Sequence, residues 1–245
     1  MMTQYRFIIS CPTEKMISSR YAYAIYAWLL EQVSAEMGNA LHQSESSCIA
    51  QAIWYDRARE QNIWKISFLS KETAELFAPI LERLNHITLR VISLDLELCE
   101  KRQITSFAQF LRTVRMEQTE ESRVELCFLT PTAFKQRGKY TVLPSVALLL
   151  NSLVHKWNDC FPEAQIDDAD AVSAMEENLL IVDYKLKTTR FPLKGIRVPG
   201  FFGELVIESK LPQPLENLWQ LLVSFSEYTG VGIKTTLGMG SVEKM

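Results

Sequence analysis

A glycine-rich stretch near the C-terminus, GVGIKTTLGMG at residues 230–240, constrains the fold of this chain most strongly. Glycine tolerates positive φ and lets a backbone approach a ligand closely. A run of glycines beside Lys234, Thr235 and Thr236 can therefore present N–H groups to phosphate oxygens. The alternative is that the glycines shape a turn and bulge before a last strand at residues 237–242, and the motif alone supports both interpretations about equally.

The spacing of these glycines excludes two familiar nucleotide-binding motifs. It fits neither the G-x-x-x-x-G-K-[ST] loop nor the G-x-G-x-x-G fingerprint, because no parallel strand precedes it and no helix follows it. We therefore expect no nucleotide cofactor, and nothing else in the sequence indicates a cofactor.

Composition restricts the class of protein. A chain of 245 residues with 47% hydrophobic residues is long enough for two globular domains. The net charge of -3 argues against a generally basic surface, although local clusters of cations can still bind nucleic acid. The cysteines lie far apart without a C-x-x-C pair, so neither a zinc knuckle nor a disulfide framework is expected. With no signal peptide or membrane span in the sequence, we expect a cytoplasmic protein.

The first half of the chain has the pattern of a βαββαβ module. Strand-like residues at 5–11 precede a helical period that runs from Ser18 or Ser19 to Gly38. Two further strands at residues 48–54 and 63–69 resemble a hairpin. Ser70 is suited to cap a second helix, and residues 87–98 alternate like a long strand.

The second half repeats this order. After a polar connector at residues 107–121 come a strand at 124–129, a basic loop at 130–140, a helix at 146–157 and an acidic connector at 161–178. Strands at 179–187 and 202–209, a helix from Pro214 and the last strand complete it. We therefore predict an α+β protein with two tandem ferredoxin-like domains at residues 1–105 and 123–245, joined by a connector at 106–122.

Cations concentrate in two places. Residues 185–203 contain no acidic residue, and residues 130–140 form a shorter basic segment; the cations are Lys185, Lys187, Arg190, Lys194, Arg197, Lys135, Arg137 and Lys139. Alternation along a strand puts Lys185 and Lys187 on one face, with Phe191 as a stacking or packing surface. A solvated basic hairpin that prevents edge pairing is the structural alternative. Together with the glycine-rich stretch, the two clusters favour nucleic-acid binding.

Two C-terminal segments carry a family resemblance. GFFGELVIES at residues 200–209, followed by a helix and YTGVGIKTTLGMGSVE at residues 228–243, resembles the CRISPR-associated repeat-processing endoribonucleases of the RAMP superfamily. The resemblance implies that the protein binds CRISPR repeat RNA and cuts precursor transcripts into guide RNAs. It also implies metal-independent cleavage by the substrate's own 2′-hydroxyl, which leaves a 2′,3′-cyclic phosphate and a 5′-hydroxyl.

The resemblance assigns a catalytic role to His42, where many family members carry a catalytic histidine after the first long helix. We expect His42 to act as general base or general acid, with Tyr26 as an orienting partner. Family members often have a lysine soon afterwards, but here the next lysine is Lys65. Charge stabilisation would then come from Arg20 or the glycine-rich stretch. The expected RNA contacts of that stretch are Gly230, Gly232, Lys234, Thr235, Gly238 and Gly240.

Other polar residues have simpler interpretations. His86 is expected to interact with the C-terminal carbonyls of the second helix, and His155 to lie on a helix surface. The acidic group Asp167, Asp168 and Asp170 lacks the pattern of an EF-hand, so no metal site is expected.

Two alternatives to the endoribonuclease remain open. One is an inactive RNA-binding subunit that holds the guide RNA in an interference complex, and the other is a regulatory protein for a small ligand. A homodimer and an association with other subunits are left open as well.

Overall fold

The computed structural model describes residues 2–43, 48–114, 122–193 and 195–245, without the side chains of residues 42, 43 and 122. The elements of the first half are β1 (Met2–Ser10), α1 (Tyr21–Glu31), α2 (Ala35–Gln43), β2 (Ile49–Asp56), β3 (Gln61–Phe68), α3 (Lys71–Leu81), β4 (His86–Thr88), β5 (Ser93–Ile104) and α4 (Phe107–Thr113). Five of these strands form one sheet in the order β2-β3-β1-β5-β4, and all neighbouring strands are antiparallel.

The elements of the second half are β6 (Ser122–Thr132), β7 (Phe134–Gln136), β8 (Lys139–Thr141), α5 (Val146–Cys160), α6 (Ala169–Asn178), β9 (Leu179–Leu193), β10 (Ile196–Ser209), α7 (Gln213–Thr229) and β11 (Val242–Lys244), with 3₁₀ turns at Pro162–Ala164 and Thr235–Leu237. The main sheet has the order β11-β6-β10-β9, and β7 and β8 form a separate hairpin. With the inserted elements set aside, both sheets have the antiparallel order of a βαββαβ module. The predicted fold class, α+β with two ferredoxin-like modules, is confirmed. The residue limits of the two domains stay a prediction.

Helix boundaries follow from local capping. The hydroxyl groups of Ser70, Ser106 and Ser145 accept hydrogen bonds from backbone N–H groups in the first turns of α3, α4 and α5. Asp168 caps α6 in the same way, through the N–H groups of Asp170 and Ala171. These short polar side chains satisfy N–H groups that lack a partner inside the helix. The acidic segment at residues 161–178, predicted to be a connector, therefore contains a helix.

The first predicted helix is wrong in its length. Instead of running from Ser18 or Ser19 to Gly38, the chain makes α1, stops, and starts α2 after Ser34, whose hydroxyl accepts from the N–H of Met37 at 3.3 Å. Gly38 does not end a helix. It lies inside α2, where a Cβ would be 3.0 Å from the carbonyl oxygen of Leu30, so its lack of a side chain lets α2 pack closely on α1.

Four other predicted elements also differ. A turn closed by the N–H of Leu89 and the carbonyl of Ile92 (2.9 Å) divides the predicted strand at residues 87–98 into β4 and β5. The basic loop at residues 130–140 is the end of β6 followed by the β7–β8 hairpin. The basic excursion after residue 187 is strand as far as Leu193 and again from Ile196, and the last strand begins at Val242 rather than Leu237 because a 3₁₀ turn comes first. In each case backbone hydrogen bonding, which the pattern of residue types does not show, decided the boundary.

The second module packs on the first sheet. Strands β2 and β3 are buried at nearly every position, although successive side chains in a strand point to opposite faces. Helices α1 and α3 cover one face, with Ile25, Leu29 and Phe77 in the core. The other face meets α7, β11 and the glycine-rich stretch. That stretch therefore lies at the junction of the two modules.

Candidate nucleic-acid interface

The glycine-rich stretch, called the glycine loop (residues 230–240), lies where three parts of the chain meet. Its 3₁₀ turn contacts β2 and α1. A Cβ on Gly238 would be 2.5 Å from the Cβ of Ala22 in α1 and 3.4 Å from the ring of Phe191 in β9. The loop thus touches the first turns of α1 on one side and the tip of the β9–β10 hairpin on the other.

Most N–H groups of the glycine loop bond within the protein. The bonds run from Val231 to the carbonyl of Gly240 (2.8 Å), from Gly232 to the hydroxyl of Ser152 (2.8 Å), from Ile233 to the carbonyl of Ala133 (2.9 Å) and from Gly240 to the carbonyl of Pro131 (3.0 Å). Gly230, Gly238 and Gly240 are also buried. The expectation that the loop presents its N–H groups to phosphate is wrong for these positions, because packing between the modules uses them. Lys234, with φ +58°, lies at the less buried part of the loop.

Lys156 of α5 binds the glycine loop through hydrogen bonds from its side chain. Its Nζ donates to the carbonyl oxygens of Gly230 (3.0 Å) and Thr229 (3.2 Å) and to the hydroxyl of Thr235 (3.4 Å). The residue is half-buried, but this ammonium group is turned away from solvent, and burial lowers the pKa of Lys156 to about 7. Sequence reasoning missed this lysine, because its partners are 73 to 79 residues away.

Gln51 of β2 ties the loop to the first module. Its side-chain nitrogen donates to the carbonyl oxygens of Ala22 (2.6 Å) and Thr236 (3.0 Å), and its oxygen accepts from the indole N–H of Trp64 (2.8 Å). The hydroxyl of Thr236 in turn donates to the carbonyl of Ile49 at 2.9 Å. An amide inside the apolar run IAQAIW was the one signal in the sequence for this role.

The β9–β10 hairpin carries its cations on two faces. Alternation puts Lys185 and Lys187 on one face, as predicted from the sequence. Arg190 and Arg197, expected in a loop, lie in the strands opposite Pro199 and Pro192, on the other face. Phe191 is fully buried in a small core with Val198 and Met239, so it packs and offers no surface for base stacking. Lys194 lies outside the described residues.

The β7–β8 hairpin presents three exposed cations. Lys135, Arg137 and Lys139 surround a two-residue turn in which Arg137 and Gly138 have φ values of +47° and +80°. Within the described parts of the chain, no carboxylate lies within 4.0 Å of these three charges. By contrast, Lys185 pairs with Glu204 at 3.0 Å. The β7–β8 hairpin is therefore the less neutralised of the two basic segments.

The catalytic candidates lie near the first two helices. The backbone of His42 is in the last turn of α2 rather than in a loop after a single helix, and its side chain lies outside the description. Tyr26 is 8% exposed, and burial raises the pKa of its phenol. Arg20 donates to the hydroxyl of Tyr21 at 2.8 Å and lies 3.8 Å from Glu14, with 55% of its side chain exposed.

The two other histidines have surface roles. His86 lies in β4 instead of at a helix end, and its ring contacts Asp95 at 2.8 Å and Thr88 at 3.1 Å. The expected contact with helix carbonyls is therefore wrong, because the chain has already turned into a strand at this residue. The side chain of His155 on α5 is 81% exposed and lies 3.8 Å from Asp159. Among the described residues, no three His, Cys, Asp or Glu side chains form a group that could hold a metal ion.

The fold of this chain consists of two antiparallel ferredoxin-like modules that meet at a C-terminal glycine loop. The family model of CRISPR-associated endoribonuclease Cas6 matches residues 126–242. The Cas6 endoribonuclease of Streptococcus thermophilus is 26% identical, over 91% of this chain and 90% of that protein. The protein of the same name from Mycobacterium tuberculosis is 26% identical, over 96% of this chain and 74% of that protein.

Solved structures show the same fold. Thermus thermophilus Cas6 superimposes with a TM-score of 0.76 and 22% identity, over 100% of this chain and 98% of that one. A Cas6 product complex gives a TM-score of 0.77 at 17% identity, with 100% of both chains covered. These matches confirm the resemblance to the CRISPR-associated repeat-processing endoribonucleases of the RAMP superfamily, and the similarity extends over most of the chain. In the described parts of the chain, no helix is long and apolar enough to cross a membrane.

Gly240→Ala is expected to destabilise the protein more than Gly138→Ala. Both glycines have positive φ, +74° and +80°, so each substitution carries a strain of about 1–2 kcal/mol. A Cβ at Gly240 would in addition overlap the carbonyl oxygen of Val231, whereas Gly138 has open space around it. The overlap should add about 1–3 kcal/mol. Urea unfolding measures both values, and equal losses would contradict the tight packing of the loop.

Gln51→Leu should destabilise the junction of the modules. It leaves the indole N–H of Trp64 and the carbonyl of Thr236 without their side-chain partner in a buried setting, at a cost of about 1–3 kcal/mol for each group. Gln165→Leu at an exposed position is the control, and urea unfolding of both variants is the measurement. Similar stabilities of the two variants would show that Gln51 does not hold the loop.

Lys156→Met should change how stability depends on pH. The folded pKa of about 7 lies below the ordinary 10.5, so between these values the unfolded chain binds the proton that the folded chain has released. The contribution of Lys156 to the free energy of unfolding of the wild type therefore rises with pH across this window. The difference in unfolding free energy, wild type minus variant, should increase from about pH 7 to about pH 10. A constant difference would contradict an enclosed ammonium group. Lys71→Met, at an exposed site, is the control.

Proposed function

We propose that this protein binds CRISPR repeat RNA and cleaves precursor transcripts into guide RNAs. The observation that carries the proposal is the similarity to named CRISPR-associated endoribonucleases over 91% of the chain, which includes both modules. Two basic hairpins beside the glycine loop support it, because cations that lack carboxylate partners attract a phosphate backbone. A solved structure described as a RAMP protein binding different RNA substrates, with a TM-score of 0.61, also supports RNA as the substrate.

The proposed cleavage needs no metal ion. The 2′-hydroxyl of the nucleotide before the cut attacks the adjacent phosphorus, and the bond from phosphorus to the 5′-oxygen breaks. The products are a 2′,3′-cyclic phosphate and a 5′-hydroxyl, so one proton leaves the 2′-oxygen and one reaches the 5′-oxygen. An imidazole, with an ordinary pKa of about 6.5, can make either transfer at neutral pH.

His42 is the proposed proton-transfer residue. Its backbone lies in α2, which packs on α1, and α1 in turn contacts the glycine loop, so α1 connects the helix of His42 to the loop. Solved relatives include a histidine-to-alanine mutant of a Cas6 protein, which is compatible with a functional histidine in this family. Tyr26 is proposed to act through the position of α1, since its buried ring anchors that helix.

Arg20 is the proposed source of charge stabilisation. Lys65, the first lysine after His42, is buried, donates toward the carbonyl of Val242 at 3.5 Å and faces the ring of Trp54. It is therefore directed away from RNA. The guanidinium of Arg20 is more than half exposed at the first turn of α1, so it can exchange its contact with Glu14 for a phosphate.

Wild type and His42→Ala, incubated with labelled repeat RNA in excess EDTA, test this proposal. We expect wild type to cut, His42→Ala to lose at least about 100-fold in rate, and both to bind RNA equally by filter retention. A 2′-deoxy nucleotide at the cut should block cleavage and leave binding intact. His86→Ala, at an exposed histidine of β4, is the matched control and should cut like wild type.

Undiminished cleavage by His42→Ala would remove the catalytic assignment. Tight binding without cleavage by wild type would favour the second candidate, a subunit that holds the guide RNA. The sequence feature that favours this candidate is the missing lysine between His42 and Lys65. Weak binding of RNA that does not depend on salt concentration would contradict both candidate functions, the endoribonuclease and the subunit that holds the guide RNA.

A further inference from the structure

A cleft separate from the expected cleavage site lies between the β7–β8 hairpin, α5 and the glycine loop. Its cavity measures about 260 Å³. Leu148 of α5, Ile233 of the loop and the buried side chain of Phe134 form the apolar part of its lining. The cavity is small, so it suits a single flat group rather than a helix or a paired strand.

Two polar groups on α5 remain available in this cleft. The hydroxyl oxygen of Ser152 accepts from the N–H of Gly232 at 2.8 Å, which leaves its own hydrogen to donate. Asn151 is exposed, and within the described residues its amide has no hydrogen-bond partner. An amide offers both a donor and an acceptor in one plane, which matches the edge of a nucleobase.

The entrance of the cleft is positively charged. Lys135 lines it, and Arg137 and Lys139 follow on the same hairpin without a carboxylate within 4.0 Å among the described residues. The nearest acid on α5 is Asp159, which lies 3.8 Å from His155 at the rim. Lys156 contributes its stem alone, because its Nζ is directed to the carbonyls of the loop. A phosphate at the mouth would therefore meet Lys135.

We propose that this cleft binds one unpaired nucleotide of the RNA, with its base edge on Asn151 and Ser152 and its phosphate on Lys135. The proposal rests on the proposed function and adds a specificity site to it. Proteins read single-stranded RNA through bases turned out of the stack and bonded along their edges. Because Gly232 and Ile233 belong to both the cleft and the glycine loop, a nucleotide here would fix the register of the strand relative to the loop.

The test measures equilibrium binding of intact and singly abasic repeat RNAs to wild type and Asn151→Leu. We expect one abasic position to weaken binding to wild type, and Asn151→Leu to weaken binding of the intact RNA by about 5- to 100-fold. At that one abasic position the variant should cause no further loss. Asn217→Leu, on α7, is the matched control and should bind like wild type.

Lys135→Ala separates the phosphate contact from the base contact. It should weaken binding to every RNA alike and reduce the slope of log K against log salt by about 1, whereas Lys71→Ala on α3 should not. Asn151→Asp, which keeps the shape of the side chain, should also weaken binding, because it removes a donor and repels phosphate. This second variant preserves the test if Asn151→Leu fails to fold.

The outcomes distinguish the two proposals. If wild type binds and cuts repeat RNA while both Asn151 variants bind it like wild type, the nucleotide cleft is overturned and the proposed function stands. The nucleotide cleft is also overturned if the Asn151 variants bind every singly abasic RNA more weakly than wild type does, by the same factor at each position. If wild type binds no repeat RNA, the proposed function itself is overturned, and the cleft with it.

Discussion

The side-chain amide of Gln51 is the contact on which the arrangement of this protein depends. It joins the indole of Trp64 in the first sheet, the carbonyl of Ala22 in α1 and the carbonyl of Thr236 in the glycine loop. All three partners are enclosed between the modules, where an unpaired polar group is costly. Because the loop then touches α1 and the β9–β10 hairpin, this amide sets the positions of both the catalytic candidates and the basic strands.

The cationic side chains of this protein have two different roles. Lys65 and Arg6 are enclosed and join the first module to β11, whereas Lys156 holds the glycine loop within the second module. Burial lowers the pKa of Lys65 to about 8 and that of Lys156 to about 7. Lys135, Arg137 and Lys139 are exposed on a hairpin and are free to meet an anion. A net charge of -3 conceals this division, because surface binding depends on where the cations lie rather than on their sum.

Local signals predicted much of the fold. Alternation and β-branched residues located β1, β2 and β3, and the serine cap at Ser70 located the start of α3, because these features act within a few residues. The break between α1 and α2 was missed, since Ser34 restarts the helix inside a continuous helical period. The candidate site was harder to predict. Phe191 was expected to offer either a stacking or a packing surface, and the choice depended on its burial against Met239, a contact between segments far apart in sequence.

By itself the sequence determined the order of elements, the position of the glycines and the two basic clusters, all of which depend on residue type and short-range spacing. The tertiary structure alone decided which of those groups remain free. Hydrogen bonds to Pro131, Ala133 and Ser152, the last of them 80 positions earlier in the chain than its partner, use N–H groups of the glycine loop. Partners at such separations leave no periodic trace in a chain, because their contact comes from packing two modules together.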